Sequence, residues 1–521
     1  MNIYHGDIVT CDQKGTVASY LVEDGGNILY VGDDPPNLYS RSSRVVELGS
    51  KALLPAFGDG HIHFSNWALF NGTFDVRFAA SLAEVGEMIS CYAASDRSAK
   101  VLFGFGHTTH SVEEKRLITR SELDAAVKER PVYLVCLDGH SAVANTAAIG
   151  LMPQKIRALH GFDLVTGQLF HEAFLAATDF ISGKVPVPRL LSYILKGVDT
   201  LAAYGIGLIH TVEGIGFPRD LDVDLVRFVA KGMKPQFRIY FQTMAVEKAL
   251  KRKLPRIGGC FACALDGAFG SKDAALLEPY SDDPENSGIL FYSDEQVIQF
   301  VKKANRAGLQ VQLHCYGDAA IVQAVNAIEA ALEDFQRTDH RHTLVHACLT
   351  PPQVLEKIAA LGIGLTIQPG FLTSDLEPPA YLKTIIGDRV KHYWPLKTIQ
   401  EMGIVMGGGS DGPVTIPNPL EGIYSACNNP NQSQALSIAD ALRMYTYNVA
   451  YTTFDEKVRG SLEEGKLADM VVLNKNPLQL APSELKELKV EQLYLSGEEY
   501  KPGKKLPQVI IDRLKNRSRP L

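Results

Sequence analysis

Two histidines stand two residues apart in Asp59-Gly60-His61-Ile62-His63. On extended chain, residues at that spacing share a face, so both imidazoles can reach one divalent ion such as Zn²⁺. An isolated pair of this kind is weak evidence for a metal, because histidines at loop starts are commonly just hydrogen-bonded. Three more side chains of ligand type, His314, His346 and Asp411, each follow a short apolar run. If those runs are parallel strands of one barrel, all five side chains gather at its carboxyl-terminal mouth, where barrels of this kind carry their chemistry. Taken singly, His314 and His346 also suit a hydrogen-bonded core. Asp411, in Gly409-Ser410-Asp411-Gly412-Pro413, also suits a turn in which it caps backbone amides.

Apolar runs alternating with amphipathic helical stretches are the texture of βα units around a parallel sheet. Eight strand-like runs can be counted, at 52–57, 207–211, 236–242, 260–265, 310–314, 342–346, 364–368 and 404–407, which predicts an α/β fold built on a (β/α)₈ TIM barrel. The gap between the first two runs, at about 65–205, is too long for one crossover and holds strand-like pieces at 100–105 and 132–137. It reads as an inserted α/β subdomain, with Lys184-Val185-Pro186-Val187-Pro188 as a stiff turn near its end. Both ends of the chain carry short β-rich runs with too little apolar surface to fold alone. Residues 1–54 and 458–521 are therefore expected to pair into one small β-sandwich domain, leaving 55–457 as the barrel domain.

With 521 residues, 46% hydrophobic and 21% charged, the chain has room for a large core, which excludes disorder and small disulfide scaffolds. A net charge of −7 gives no support to nucleic-acid binding. No run approaches the length of a membrane span and no basic leader opens the chain, so a cytoplasmic protein with no membrane partner is expected. The eight cysteines are scattered, mostly inside apolar runs, as reduced thiols would be. Cys260 and Cys263 have CxxC spacing, but they sit in a strand-like run without a second such pair and read as strand packing. The basic tail, Lys515 to Arg519, reads as a solvated terminus.

The motifs resemble the metal-dependent hydrolases of the amidohydrolase superfamily, in the branch that includes N-substituted formamide deformylase and the proteins called YtcJ and AepA. The resemblance spans nearly the whole chain. It runs from Leu54-Pro55-Ala56-Phe57-Gly58-Asp59-Gly60-His61-Ile62-His63 through Asp138-Gly139-His140-Ser141, Asp266-Gly267-Ala268-Phe269-Gly270-Ser271, His314-Cys315-Tyr316-Gly317-Asp318, Val345-His346-Ala347 and Gly409-Ser410-Asp411-Gly412-Pro413. It ends in Gly460-Ser461-Leu462-Glu463-Glu464-Gly465-Lys466-Leu467-Ala468-Asp469. The resemblance implies that His61, His63, His314, His346 and Asp411 hold a divalent metal, zinc above all. It also implies that the metal activates a water against a carbonyl, with Asp411 moving the proton to the leaving nitrogen. Physics agrees, since a bound divalent ion lowers the pKa of its water to about 7 and a nearby carboxylate can shuttle the proton. His140 is then expected to face the substrate and stabilise a developing oxyanion.

One departure stands out. Many relatives place on the fourth strand a lysine whose carbamate bridges two metals, whereas here that strand reads Gly258-Gly259-Cys260-Phe261-Ala262-Cys263-Ala264-Leu265-Asp266. A single dominant ion is therefore expected, with two not excluded and Cys263, Asp266 or Glu172 as substitute bridges. His210 and Asp318 are candidates to orient ligands, although Asp318 also suits a helix cap. The function expected is hydrolysis of a C–N bond in a small amide, formamide or cyclic amide. A deaminase is the alternative with the same chemistry; the residues after His314 lack the glutamate expected of one. A regulatory protein on a retained scaffold is the alternative of another class, and a homodimer is a family-level expectation only.

Overall fold

A computed structural model describes residues 1–35, 44–374 and 377–521. Eight parallel strands form its centre: β1 (Phe57–Ile62), β2 (Ile206–Glu213), β3 (Gln236–Phe241), β4 (Arg256–Ala264), β5 (Gln310–Cys315), β6 (Thr343–His346), β7 (Gly364–Ile367) and β8 (Met406–Gly408). They are hydrogen-bonded in chain order from β1 to β8. The last strand lies against the first: the Asp411 amide donates to the His61 carbonyl (2.8 Å) and the His63 amide to the Gly412 carbonyl (2.9 Å). Glycine is needed at this seam, because a Cβ on Gly60 would lie 2.9 Å from the Gly408 carbonyl oxygen. The sheet thus curls toward closure as a barrel, with its strands buried almost throughout.

The first barrel strand is not the run at 52–57. That run ends the longer strand Arg44–Pro55, where Ala52 to Pro55 pair antiparallel with Leu473 to Met470 of the small domain. Proline, lacking an N–H, ends the ladder at Pro55, and the barrel strand starts two residues later. His61 consequently lies inside β1 and His63 just beyond it.

The two chain ends share one seven-stranded sheet, in the spatial order Glu498–Glu499, Val490–Leu495, Met470–Leu473, Arg44–Pro55, Asn2–Val9, Val17–Asp24, Asn27–Gly32. Hydrogen bonding makes it one continuous sheet where a β-sandwich was expected. Ile8, Leu21 and Leu53 from the amino end and Met470 and Val472 from the carboxyl end fill a common core. Neither end has that core alone.

Between β1 and β2 stands a five-stranded sheet of Phe74–Asp75, Leu102–His107, Val132–Cys136, Ser141–Ala144 and Gln168–Phe170, with its own apolar core around Leu102, Leu134 and Val143. The stiff segment at 184–188 turns into the helix Val187–Ala203, whose Gly197 lets it close on Ala68 of the helix Phe64–Asn71. The carboxyl tail keeps Lys515, Arg517 and Ser518 exposed, as the solvated reading has it, but its last residues pack on the barrel. Arg519 donates to the Met233 carbonyl and Arg256 to that of Leu521 (3.0 Å), so the tail closes the end of the barrel opposite the histidines. No helix among the described residues is long and apolar enough to cross a membrane.

Candidate metal centre

Strand β4 carries the most unusual backbone in the barrel. Its ladder with β5 runs from Arg256↔Gln310 to Gly259↔Leu313, then resumes at Ala264↔His314, so residues 260–263 loop out of register. Gly258 (φ +108°), Gly259 (φ +118°) and Phe261 (φ +46°) supply the left-handed turns. A Cβ at Gly258 would sit 1.9 Å from the Gln312 carbonyl oxygen, so only glycine allows this path. The bulge carries the Cys260 Sγ to 3.2 Å from His61 Nε2 and 3.8 Å from His346 Nε2.

Donor atoms of His61, Cys260, His346 and Asp411, all buried, lie within 4.8 Å of one another. Each is held from behind. His61 Nδ1 is 3.3 Å from Gln312 Oε1 and His346 Nδ1 is 2.7 Å from Gln368 Oε1, which turns the Nε2 atoms toward the cluster. Asp59 accepts from the Ser410 amide (3.0 Å), the Ser410 hydroxyl (2.6 Å) and the His61 amide (3.1 Å), tying the Asp411 turn to β1. Burial lifts the Asp59 carboxyl to about 6 against those hydrogen bonds.

His63 and His314 complete the set. Asp411 Oδ1 is 3.4 Å from His61 Nε2 and 3.3 Å from His63 Nε2, close in distance but off the line of a hydrogen bond. The His314 ring centre lies 4.7 Å from that of His346, and its Nδ1 is 3.6 Å from Asp266 Oδ1. Burial pushes His346 down to about 4 and lowers His63 and His314 as well. These rings are therefore neutral near pH 7, the form that binds metal. Burial opposes ionisation of Asp411, yet the surrounding imidazoles hold it well below the usual carboxylate range. His63 Nδ1, His314 Nδ1 and Asp411 Oδ1 are buried without a hydrogen-bond partner. Buried polar atoms are rarely left so, and a nitrogen, sulfur and carboxylate donor set of this kind fits a divalent ion.

Above the cluster lies a cavity of about 90 Å³, bounded by His63, Cys260, His314, His346 and Asp411 below. The insertion supplies much of its wall through Phe105, Val135, His140 and Phe174, and Phe261 of the bulge closes another side. The Phe261 ring stands 5.1 Å from that of His63 and 5.5 Å from that of His140. A second cavity of about 310 Å³ adjoins it across Val414, with Asp59 and Ser410 in its lining. Arg77 also lines that neighbour, paired with Asp75 at 2.7 Å.

The remaining candidates lie elsewhere. Glu172 is exposed on the helix His171–Ser182, away from the donors. Cys263 is buried outside the donor cluster, and Cys260, set aside as strand packing, stands in it. The visible signal was the pair Gly258-Gly259 inside a strand, which marks a bulge. Asp266 accepts from the amides of Tyr316 (2.9 Å), Gly317 (2.8 Å) and Ala275 (2.9 Å), fixing the chain just beyond His314. Asp318 opens the helix Asp318–Asp334 without capping it and accepts from the Leu277 amide (2.9 Å). His210 lies inside β2, which runs on to Glu213. It bonds Thr453 Oγ1 (2.9 Å), a residue that also donates to Asp455 on the tail side of the barrel.

The chain is 28% identical to the Bacillus subtilis (strain 168) protein YtcJ, over 88% of this chain and 90% of that one. It is 24% identical to an N-substituted formamide deformylase of Arthrobacter pascens, over 95% and 97%. The crystal structure of an uncharacterized metal-dependent hydrolase from Pyrococcus horikoshii ot3 superposes with a TM-score of 0.76 at 25% identity, covering 92% of this chain and 99% of that one. YtcJ and the deformylase are members of the branch that the motifs resemble. The amidohydrolase family model matches residues 44–500, and the chain belongs to that family.

Proposed function

We propose that the protein hydrolyses a C–N bond of a small amide, formamide or cyclic amide, using a divalent metal, with zinc favoured, and Asp411 as proton shuttle. The observation that carries this reading is the convergence of the buried donor atoms of His61, Cys260, His346 and Asp411 beneath a cavity that admits a small molecule. A divalent ion held by these residues would polarise the scissile carbonyl and acidify water. Asp411, ionised at pH 7, takes the proton from the attacking water and returns it to the leaving nitrogen. His140, in the cavity wall, donates to the oxygen that gains charge. Phe105, Phe174 and Phe261 surround the substrate with apolar surface, which favours an uncharged substituent and keeps bulk water out. The deformylase relative supports formamides as the first compounds to try.

The test is Asp411→Asn in metal-loaded protein. It is expected to keep the fold and the metal while kcat falls by about 10²–10⁴ on whichever amide the wild type turns over. Near-normal turnover with metal retained would remove Asp411 from the proton path.

A further inference from the structure

The two neighbouring cavities differ in size and in lining. The inner one, of about 90 Å³, has largely aromatic and aliphatic walls above the donors. It is smaller than the roughly 150 Å³ of an apolar cavity that holds benzene, so it suits a small uncharged group. The outer one, of about 310 Å³, has room for a larger group, and Thr108, Ser111 and Thr415 are among the hydroxyls in its lining. Arg77 is the one Lys or Arg side chain in that lining among the described residues. Asp75 accepts from the Arg77 amide (3.0 Å) and from its Nε (2.7 Å), and the guanidinium lies over the Phe105 ring, 5.4 Å from its centre. Gly106 (φ +104°) lets this arrangement close, because a Cβ there would stand 2.6 Å from Asp75 Oδ1 and 2.8 Å from the Arg77 amide nitrogen. The Arg77 side chain is 12% exposed, and among the described residues neither of its Nη groups has a hydrogen-bond partner.

We propose that the outer cavity is a carboxylate subsite: the substrate is an amide whose uncharged end lies in the inner cavity and whose other end carries a carboxylate, held by the two Nη groups of Arg77. A guanidinium fixed at Nε and open at both Nη groups presents the planar fork that matches a carboxylate. Phe105, beneath that fork, also lines the inner cavity, which sets the fork at the boundary between the two. The acids of the outer lining already have donors: Asp59 accepts from Ser410 and the His61 amide, and the exposed Glu421 accepts from Asn418 (3.1 Å). A single fork suits a monoanion, whereas a phosphate dianion calls for more than one cation.

This inference rests on the amide reading above, and its test is separable from it. The probes are N-formyl-ε-aminocaproate and N-formylhexylamine, which share a chain and differ in the carboxylate, with shorter and longer homologues of each. Where zinc-loaded wild type turns over formamides, kcat/KM is compared within each pair. Where it turns none over, the same pairs are titrated calorimetrically, so a failed reaction still leaves the subsite testable. At the chain length that spans the two cavities, the acid is expected to be favoured by about tenfold or more. Arg77→Met is expected to erase that preference and Arg77→Lys to keep part of it, because an ammonium donates from a point rather than a fork. A role in packing alone would weaken the acid and its neutral partner together. Wild type that treats the two alike at every length, a preference that survives Arg77→Met, or a phosphonate preferred to the carboxylate would each overturn the proposal. Should Arg77→Met fail to fold, as read by circular dichroism, the wild-type ratios and Arg77→Lys decide.

Discussion

Glu377 shows how much a single buried carboxyl can hold beside this centre. It accepts from the hydroxyls of Tyr316 (2.8 Å) and Tyr393 (3.4 Å) and from the Gly270 amide (3.0 Å), and the Tyr316 ring stands 5.3 Å from that of His346. Burial lifts its carboxyl from 4.5 to about 7 in spite of those hydrogen bonds. Between those values the folded chain binds more protons than the unfolded one, so this residue's contribution to stability falls as pH rises through that window and levels off above about 7. Glu377→Gln mimics the protonated acid. Urea unfolding should show the variant gaining on wild type across that window, by roughly 1–3 kcal/mol at pH 8 and by little near pH 4. Parallel profiles would show that Glu377 is not the group responsible. At this scale the sequence was partly readable. His61, His63, His314, His346 and Asp411 were expected to gather at the barrel mouth because five side chains of ligand type each stand at or near the end of a strand-like run, and the structure brings them near one another. Cys260 did not, because a thiol in an apolar run looks the same whether it packs or coordinates. The second strand runs two residues past the expected run at 207–211, because a strand's end cannot be read to within a few residues from its apolar run.

Among the elements, β4 decides the site. Its ladder with β5 breaks where Gly258 and Gly259 adopt backbone angles that other residues rarely reach. Gly258→Ala would drive a methyl to 1.9 Å from the Gln312 carbonyl oxygen. The expected result is a loss of more than about 2 kcal/mol in urea unfolding together with reduced metal content, because Cys260 can no longer be presented. Unchanged metal content in a variant that still folds would separate the bulge from the centre. The helix Phe64–Asn71 after His63 is anchored in a related way: Glu213, at the end of β2, accepts from the Ser65 hydroxyl and amide, with Asp222 close behind. The order of the barrel strands followed from alternating apolar runs and helices. The bulge is a backbone event with no side-chain periodicity, and the first strand was displaced because two consecutive strands share the apolar stretch around Pro55.

In the whole molecule, the barrel is closed at one end by the chain's tail and covered at the other by the insertion. On the tail side Arg238 and Asp455 form a buried two-point ion pair, joined by Thr453. Asp455→Ala would strand the Arg238 guanidinium in the interior and is expected to cost about 3–5 kcal/mol in chemical unfolding. A loss below about 1 kcal/mol would mean that water or the tail carbonyls satisfy the arginine. On the other side the insertion brings Phe105, Val135 and Phe174 over the donors, so it is part of the pocket. Its presence was legible as a gap too long for one crossover, but its reach over the site depends on packing that no local pattern records. The pairing of the two chain ends was legible because neither has apolar surface for a core of its own. The proposed reaction needs a divalent metal at the barrel mouth to hydrolyse a C–N bond. The most direct measurement is release of amine from a panel of N-substituted formamides and amides by the protein as purified, after chelation, and after zinc is restored. Turnover that disappears on chelation and returns with zinc is the result expected. Turnover indifferent to chelation, or none from fully metal-loaded protein on any member of the panel, would contradict it.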